Sequence, residues 1–180
     1  MSERLEDFED VSVYSIGAER REVLLARGRE CAVTWSTREG WPVGVMHLYL
    51  WRDGRFWVTC TERRKRVAAL RARPQSSIIC AFEGEQTLTA KTIATVHDPG
   101  SEHEAWFFPA LAELALPNVA ESIREGGVDG FVERLASEHR VIIEFEPVKW
   151  ISFDGRRVGA HASGAWKPGD PWIEPDDVSG

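Results

Sequence analysis

The stretch RFWVTCTERRKRVAALRARP, residues 55–74, decides the fold because a strand pattern runs directly into a basic helix pattern. Successive side chains of a strand point to opposite faces of its sheet. One face therefore carries Trp57, Thr59 and Thr61, and the other carries Phe56, Val58 and Cys60. The helix that follows opens with four consecutive cations, Arg63 to Arg66.

The junction between this strand and this helix has the chemistry of a phosphate site. Backbone N–H groups at a helix start lack intrahelical partners and carry partial positive charge, which suits an anion. Arg64 and Lys65 stand at that start, and the hydroxyls of Thr59 and Thr61 precede it. We therefore predict that these four residues bind a phosphate monoester. A solvated helix face is the alternative that four basic residues in a row also fit.

Strand and turn signals dominate the rest of the first 154 residues. Strands are predicted at 31–37, 42–51, 55–61, 76–82, 86–97, 140–146 and 148–153, with hairpins at 52–54 and 83–85. Helices are predicted at 19–27, 102–116 and 130–138. The pattern predicts a mainly β fold with helices: a barrel of six to seven antiparallel strands with a helical insertion, because closure removes exposed sheet edges.

The chain divides into three parts by this pattern. Residues 1–17 form an N-terminal extension, residues 18–154 form the barrel domain, and residues 155–180 form a C-terminal arm. The arm is rich in Gly and Pro and lacks periodicity, so we expect it to be partly disordered.

Composition excludes several classes of protein. A net charge of −7 argues against nucleic-acid binding, and no apolar run is long enough for a membrane helix. The three cysteines lie in apolar strand patterns, which favours free thiols and a cytoplasmic location over secretion. The five histidines show no metal-ligand spacing, so no metal site is predicted.

The order of these elements resembles the pyridoxamine 5′-phosphate oxidase-like family, the FMN-binding split barrels. The positions that carry the resemblance are Trp57, Thr59, Arg64, Lys65 and Pro74, within a segment running from Ala18 to Asp154. The resemblance implies a split β-barrel of Greek-key type. It also implies a homodimer with FMN bound at the interface by both subunits.

The family pattern assigns further residues to the cofactor. Arg64 and Lys65 match the basic pair on the flavin phosphate, and Thr59 matches a hydroxyl beside it. The strand segment containing Val45 and Met46 matches the strand that packs on the flavin ring. Gln86 matches a glutamine that hydrogen-bonds the ring, although an exposed hairpin glutamine is the alternative.

The chain departs from the oxidase pattern at its end. The Arg-x-His motif of true pyridoxamine phosphate oxidases is missing after Phe153, so that reaction is not expected. Trp166, in the arm, is the residue we expect to reach a partner's site. No catalytic side chain can be assigned, which suits a flavin enzyme because the cofactor carries the redox chemistry.

The function expected from the resemblance is a flavin-dependent oxidoreductase acting on a small planar molecule. A reductase using the deazaflavin coenzyme F-420 is the first alternative, since its phosphate would use Arg64 and Lys65 as well. A non-catalytic protein that binds flavin or haem is the second, with His47 or His97 as the haem ligand.

Overall fold

The computed structural model of the chain describes residues 10–136 and 138–174. The strands are β1 Glu30–Ser36, β2 Pro42–Leu48, β3 Leu50–Arg52, β4 Arg55–Thr61, β5 Gln75–Phe82, β6 Gln86–His97 and β7 Arg140–Asp154. The helices are α1 Ala18–Arg27, α2 Lys65–Ala72, α3 Glu104–Ala115, α4 Glu121–Arg124, α5 Gly127–Leu135 and α6 Gly155–Ala162. Short 3₁₀ turns occupy Val11–Tyr14 and Leu116–Asn118.

The strands form one antiparallel sheet that curls into a split barrel. Their order is β2-β1-β5-β6-β7-β4-β3, so β2 and β3 lie at opposite ends of the sheet. Only Tyr49 separates these two strands in the chain. Because the two Cα–Cα steps from Leu48 to Leu50 span at most about 7 Å, the two ends of the sheet must meet at Tyr49. The predicted split barrel of six to seven antiparallel strands is confirmed, although the single strand predicted at 42–51 is divided at Tyr49 into β2 and β3.

β7 is one long strand where the sequence predicted two. It pairs with β4 along its first half and with β6 along most of its length. The register with β6 shifts between Lys91 and Thr92, where Pro147 lies opposite. A proline without an N–H fits at such an irregularity, which is why it does not end the strand.

The barrel interior holds the main core. The predicted inward face of β4 is confirmed, because Phe56, Val58 and Cys60 pack in this core. α2 closes one end of the barrel and buries Val67 and Leu70 there. Complete burial of an apolar side chain of this size stabilises the fold by about 1.5–3 kcal/mol.

A second, smaller core lies on the outside of the barrel. Trp57, on the other face of β4, packs there against Phe107, Phe108 and Leu111 of α3 and against Ile142 of β7. The helical insertion predicted between β6 and β7 is thereby attached to the barrel.

The arm is more ordered than its sequence suggests. Residues 155–162 form α6, which begins at Asp154, whose carboxylate accepts from the backbone N–H of Arg156. Trp166 is buried against Tyr14 of the N-terminal 3₁₀ turn. Residues 1–9 and 175–180, parts of the predicted extension and arm, lie outside the described residues, and the domain boundaries stay a prediction. None of the described helices is long and apolar enough to cross a membrane.

Candidate functional site

The start of α2 has the features predicted for an anion site. Arg64 is the N-cap residue in extended conformation, no side chain caps the helix, and no acidic residue lies in its first turn. Arg64 and Lys65 are both exposed. The Arg64 and Val67 N–H groups are engaged by the carbonyl oxygens of Thr61 and Arg64, so the N–H groups of Lys65 and Arg66 and the exposed cations are what this end offers a ligand.

The cations at this end have no carboxylate partner in the part of the chain that the structure describes. No ion pair there involves Arg63, Arg64, Lys65 or Arg66. Arg71 at the other end of α2, by contrast, pairs with Asp98. The positive charge at the helix start is thus not neutralised within the described residues.

Buried polar atoms beneath the helix start also lack partners. His47 Nε2, Arg66 Nε and Arg140 Nε are shielded from solvent, and none has a hydrogen-bond partner among residues 10–136 and 138–174. An unpaired buried donor costs about 1–3 kcal/mol. Arg66 and Arg140 thus add buried positive charge beneath the helix start, whereas the side chains that a negatively charged ligand can contact directly are those of Arg64 and Lys65.

Electrostatics at this point are consistent with an excess of positive charge. Burial, and in second place the charge of Arg66, lower the pKa of His47 to about 4. Burial raises the pKa of the Cys60 thiol, although Arg66, Arg140 and Arg64 each act to lower it. We call the group formed by His47, Arg64, Lys65, Arg66 and Arg140 the cationic cluster.

The cationic cluster extends beyond what the sequence predicted. Arg66 belongs to the quoted basic run, but its inward position depends on the packing of α2. His47 and Arg140 come from β2 and β7, and Arg140 lies opposite Thr61 in the β4–β7 register. The only sequence signal for Arg140 was its place at the start of a predicted strand.

The two predicted threonines differ in their surroundings. Thr59 Oγ1 donates to the Val141 carbonyl oxygen at 2.7 Å, so its hydroxyl proton is already engaged. Thr61 ends β4 and is half-buried, and Arg64 N–H donates to its carbonyl oxygen at 3.1 Å. Thr61 is therefore the better placed hydroxyl, and both phosphate roles stay predictions.

β2, the strand predicted to pack on the flavin ring, turns one face to the core and the other to solvent. Val45 is half-buried, and Met46 is 63% exposed. Met46 begins a row of cross-strand neighbours on the outside of the sheet, which we call the outer row: Met46, Ala32, Ile79, Thr89 and Ile151. Ile79 and Ile151 are also exposed.

Gln86 lies in a buried polar network. Its Oε1 accepts from Arg20 Nη2 at 3.0 Å, and its Nε2 donates to Asp154 Oδ2 at 3.1 Å. Asp154 is fully buried and also accepts from Arg156 Nη2 at 2.7 Å. The amide of Gln86 is thus engaged within the chain, and its contact with a flavin ring stays a prediction.

Trp166 lies in the packed C-terminal segment. It is 8% exposed and contacts the rings of Tyr14, His161 and Trp172. Its indole N–H donates to the Asp170 carbonyl oxygen at 3.1 Å. Its predicted contact with a partner's site also stays a prediction.

The predicted site residues lie beside opposite ends of the long strand β7. Thr61 pairs with Arg140 at the start of β7, and Gln86 pairs with Asp154 at its end. Fourteen steps along a strand correspond to roughly 45 Å of chain. The structure therefore brings Thr61, Arg64 and Lys65 together but not Gln86.

Comparisons with known proteins find similar structures that share one fold. No protein-family model and no curated protein matches the sequence. Among solved structures, the conserved hypothetical protein Rv2991 from Mycobacterium tuberculosis is similar with a TM-score of 0.67 and 13% identity, over 93% of this chain and 96% of its own. An F420 reductase is similar with a TM-score of 0.56 and 16% identity, over 72% and 94%.

A third similar structure is a pyridoxamine 5′-phosphate oxidase-related, FMN-binding protein from Nostoc punctiforme. It has a TM-score of 0.51 and 13% identity, over 76% of this chain and 78% of its own. The chain has the split-barrel fold of the pyridoxamine 5′-phosphate oxidase-like proteins. In this split barrel, the strand–helix junction that carried the sequence resemblance is the place where the cationic cluster lies.

Proposed function

We propose that this split barrel binds FMN and is a flavin-dependent oxidoreductase. The observation that carries the proposal is the cationic cluster, in which three buried nitrogen atoms of His47, Arg66 and Arg140 lack partners within the described residues. A phosphate dianion would pair with the exposed charges of Arg64 and Lys65 and would be attracted by the buried charges of Arg66 and Arg140.

The roles of the chain in such a reaction are binding and orientation. Arg64, Lys65 and the first N–H groups of α2 would hold the phosphate. The edge of β2 that carries Val45 and Met46 would support the ring and limit access of water. Bound flavin supplies the transfer of hydride or electrons.

The same proposal includes a homodimer. The outer row crosses five strands and exposes Met46, Ile79 and Ile151, an apolar surface of the kind that subunit interfaces cover. Gln86 lies beside the end of β7 that is far from the cationic cluster, and Trp166 packs on α6, which follows that end. In a dimer, Gln86 and Trp166 of one subunit could approach a cofactor held by the cationic cluster of the other subunit.

A deazaflavin cofactor is the second candidate, because its phosphate would engage the same cluster. The similarity in fold to an F420 reductase supports keeping it. Haem is less favoured at His97, because His97 Nε2 is hydrogen-bonded to Glu144 Oε2 at 2.9 Å. The absorption spectrum of the purified protein distinguishes a flavin, a deazaflavin and a haem.

The decisive experiment compares FMN with riboflavin, which lacks the phosphate. We expect the wild-type protein to bind FMN at least about tenfold more tightly than riboflavin, measured by quenching of flavin fluorescence, since charged hydrogen bonds to phosphate contribute about 1.5–3 kcal/mol. Lys65→Ala should reduce that preference, and Lys167→Ala, which removes an exposed lysine of the C-terminal segment, should keep it. Equal affinity for FMN and riboflavin in the wild-type protein would refute the proposal.

A further inference from the structure

A separate cavity lies between the helical insertion and the end of the sheet. It encloses about 560 Å³, a size typical of small-molecule sites. We call it the insertion cavity; its lining comprises Gly28, Arg29, Glu30, Leu48, Ala81, Phe82, Ala115, Asn118 and Val119. No residue of the cationic cluster is among them.

Most of the insertion cavity is apolar. Leu48 and Phe82 come from the barrel, and Ala115 and Val119 come from the insertion. Phe82 offers an aromatic ring to a ligand, and rings prefer to pack against other rings. These walls favour a planar, largely apolar compound.

Arg29, a cation of the lining, has no acidic partner among the described residues. Arg29 is half-buried, and its guanidinium donates to the Leu114 carbonyl oxygen at the end of α3. The Asn118 carboxamide, with its oxygen turned toward the guanidinium, accepts from Arg29 Nη1 at 2.6 Å. No carboxylate of the described residues lies within ion-pair distance of Arg29.

Two neutral oxygens leave part of the guanidinium's five N–H donors and all of its net charge available. Glu30 also lines the cavity, but it is exposed, so water screens its charge more than that of Arg29. The polar wall of the cavity therefore favours an anionic group.

The cavity also adjoins the strand where the cofactor is proposed. Leu48 is the last residue of β2, the strand that carries Val45 and Met46. A ligand in the insertion cavity would lie next to that strand without using the cationic cluster.

We propose that the insertion cavity is the substrate site and that it selects a small planar aromatic compound carrying a carboxylate or similar anionic group. That the ligand is a substrate rests on the proposed oxidoreductase function, whereas the chemistry of the ligand follows from the cavity alone. Arg29 is the residue that determines the preference for an anion.

The test uses 2-naphthoate and its neutral analogue 2-naphthamide, titrated by calorimetry into the full chain saturated with FMN. We expect 2-naphthoate to bind at least about tenfold more tightly than 2-naphthamide, as for a hydrogen bond between charged groups. Arg29→Gln should bring the ratio close to one while 2-naphthamide binds as before. Arg38→Gln removes a charge from an exposed turn and should leave the ratio unchanged.

A second pair of variants tests the cavity without changing the hydrogen bonds of Arg29 to Leu114 and Asn118. Ala81 is exposed and lines the cavity, so Ala81→Trp should abolish binding of both probes. Ala72→Trp adds the same ring at an exposed position of α2 outside the lining and should change neither. FMN binding, followed separately by fluorescence, should be the same in all four variants.

Three results would overturn the inference: no binding of 2-naphthoate at millimolar concentration, equal affinity for the two probes, or loss of 2-naphthoate binding when FMN saturates the protein. The last result would assign the cavity to the cofactor. If FMN fails to bind the wild-type chain while 2-naphthoate still does so through Arg29, the redox function falls and the anion-selective cavity stands.

Discussion

His47 couples the cationic cluster to pH. Its side chain is neutral in the folded protein down to a pKa of about 4, compared with an ordinary value of 6.5. Between these two values the unfolded chain binds a proton that the folded chain does not bind, so acid favours unfolding. The imidazole is kept neutral first by burial and second by the charge of Arg66.

We therefore expect the free energy of unfolding of the cofactor-free protein to fall as pH drops from about 6.5 to about 4. His47→Gln should make this fall less steep, because glutamine does not titrate. Denaturant unfolding at closely spaced pH values measures the effect. His139→Gln, at an exposed histidine, is the control and should retain the wild-type slope; identical slopes in the two variants would contradict the assignment.

Position 28 requires glycine because a side chain would not fit there, and not because of its backbone conformation. Its φ of −68° is available to any residue. A Cβ atom at this position would lie 2.9 Å from Phe82 Cε1 and closer still to the Tyr49 hydroxyl. Crowding of this kind in a packed region typically costs about 1–3 kcal/mol.

Gly28→Ala should accordingly lower the free energy of unfolding by about 1–3 kcal/mol, measured by denaturant titration. Gly159→Ala is the matched comparison, because nothing lies within 4 Å of a Cβ at that position of α6. It should raise stability by roughly 0.5–1 kcal/mol, since alanine is the better helix former. Equal effects of the two substitutions would show that the close approach to Tyr49 is absent.

At the scale of elements, the C-terminal segment stabilises the barrel. α6 begins on the buried carboxylate of Asp154, and Trp166 covers Tyr14. The Tyr14 hydroxyl is hydrogen-bonded to His161 Nδ1 at 2.7 Å. The segment thus joins the two ends of the described chain.

Trp166→Ala should lower the free energy of unfolding by about 3 kcal/mol, because a large buried ring is replaced by a cavity. Trp41→Ala removes a ring that is 69% exposed and should change stability by no more than about 0.5 kcal/mol. Denaturant unfolding followed by far-ultraviolet circular dichroism compares them without relying on tryptophan fluorescence. A loss of equal size in both variants would mean that Trp166 is not packed.

The sequence predicted those elements whose signals are local. The alternation in residues 55–61 identified both faces of β4, and Asp53-Gly54 identified its hairpin, where both residues have positive φ. α6 escaped prediction because two glycines weaken the helix pattern of GRRVGAHA, and its start depends on the buried Asp154. Arg140 was not predicted, and His47 was named only as a haem ligand, because their approach to α2 depends on the curl of the sheet, which no local pattern records.

At the scale of the whole molecule, charge and apolar surface are separated. The chain carries a net charge of −7, yet its cationic cluster is not neutralised within the described residues. The outer row is a different surface, formed by five neighbouring strands. An anionic cofactor suits the first surface and a second copy of the chain suits the other.

Ile79→Asp should convert the proposed dimer to a monomer in size-exclusion chromatography with light scattering. A carboxylate in the middle of an apolar interface would lose its hydration without gaining a partner. Ile173→Asp changes a residue that is 85% exposed and outside the sheet, and it should remain dimeric. A wild-type protein that is monomeric at micromolar concentration would refute the dimer.

The single residue between β2 and β3 also joins two local hairpins into one barrel. Each hairpin on either side of Tyr49 needs only neighbouring residues, and hairpins form in about 1–10 μs. Joining them into one barrel requires contacts such as Thr34 with Ser77, 43 residues apart, and Thr59 with Val141, 82 residues apart. Loop closure of that length precedes any gain from the contact, so folding is slow relative to helical proteins of this size. The Tyr49 hydroxyl donates to the Leu25 carbonyl oxygen, so this contact at the meeting point of the two sheet ends also requires α1 to be packed against the barrel.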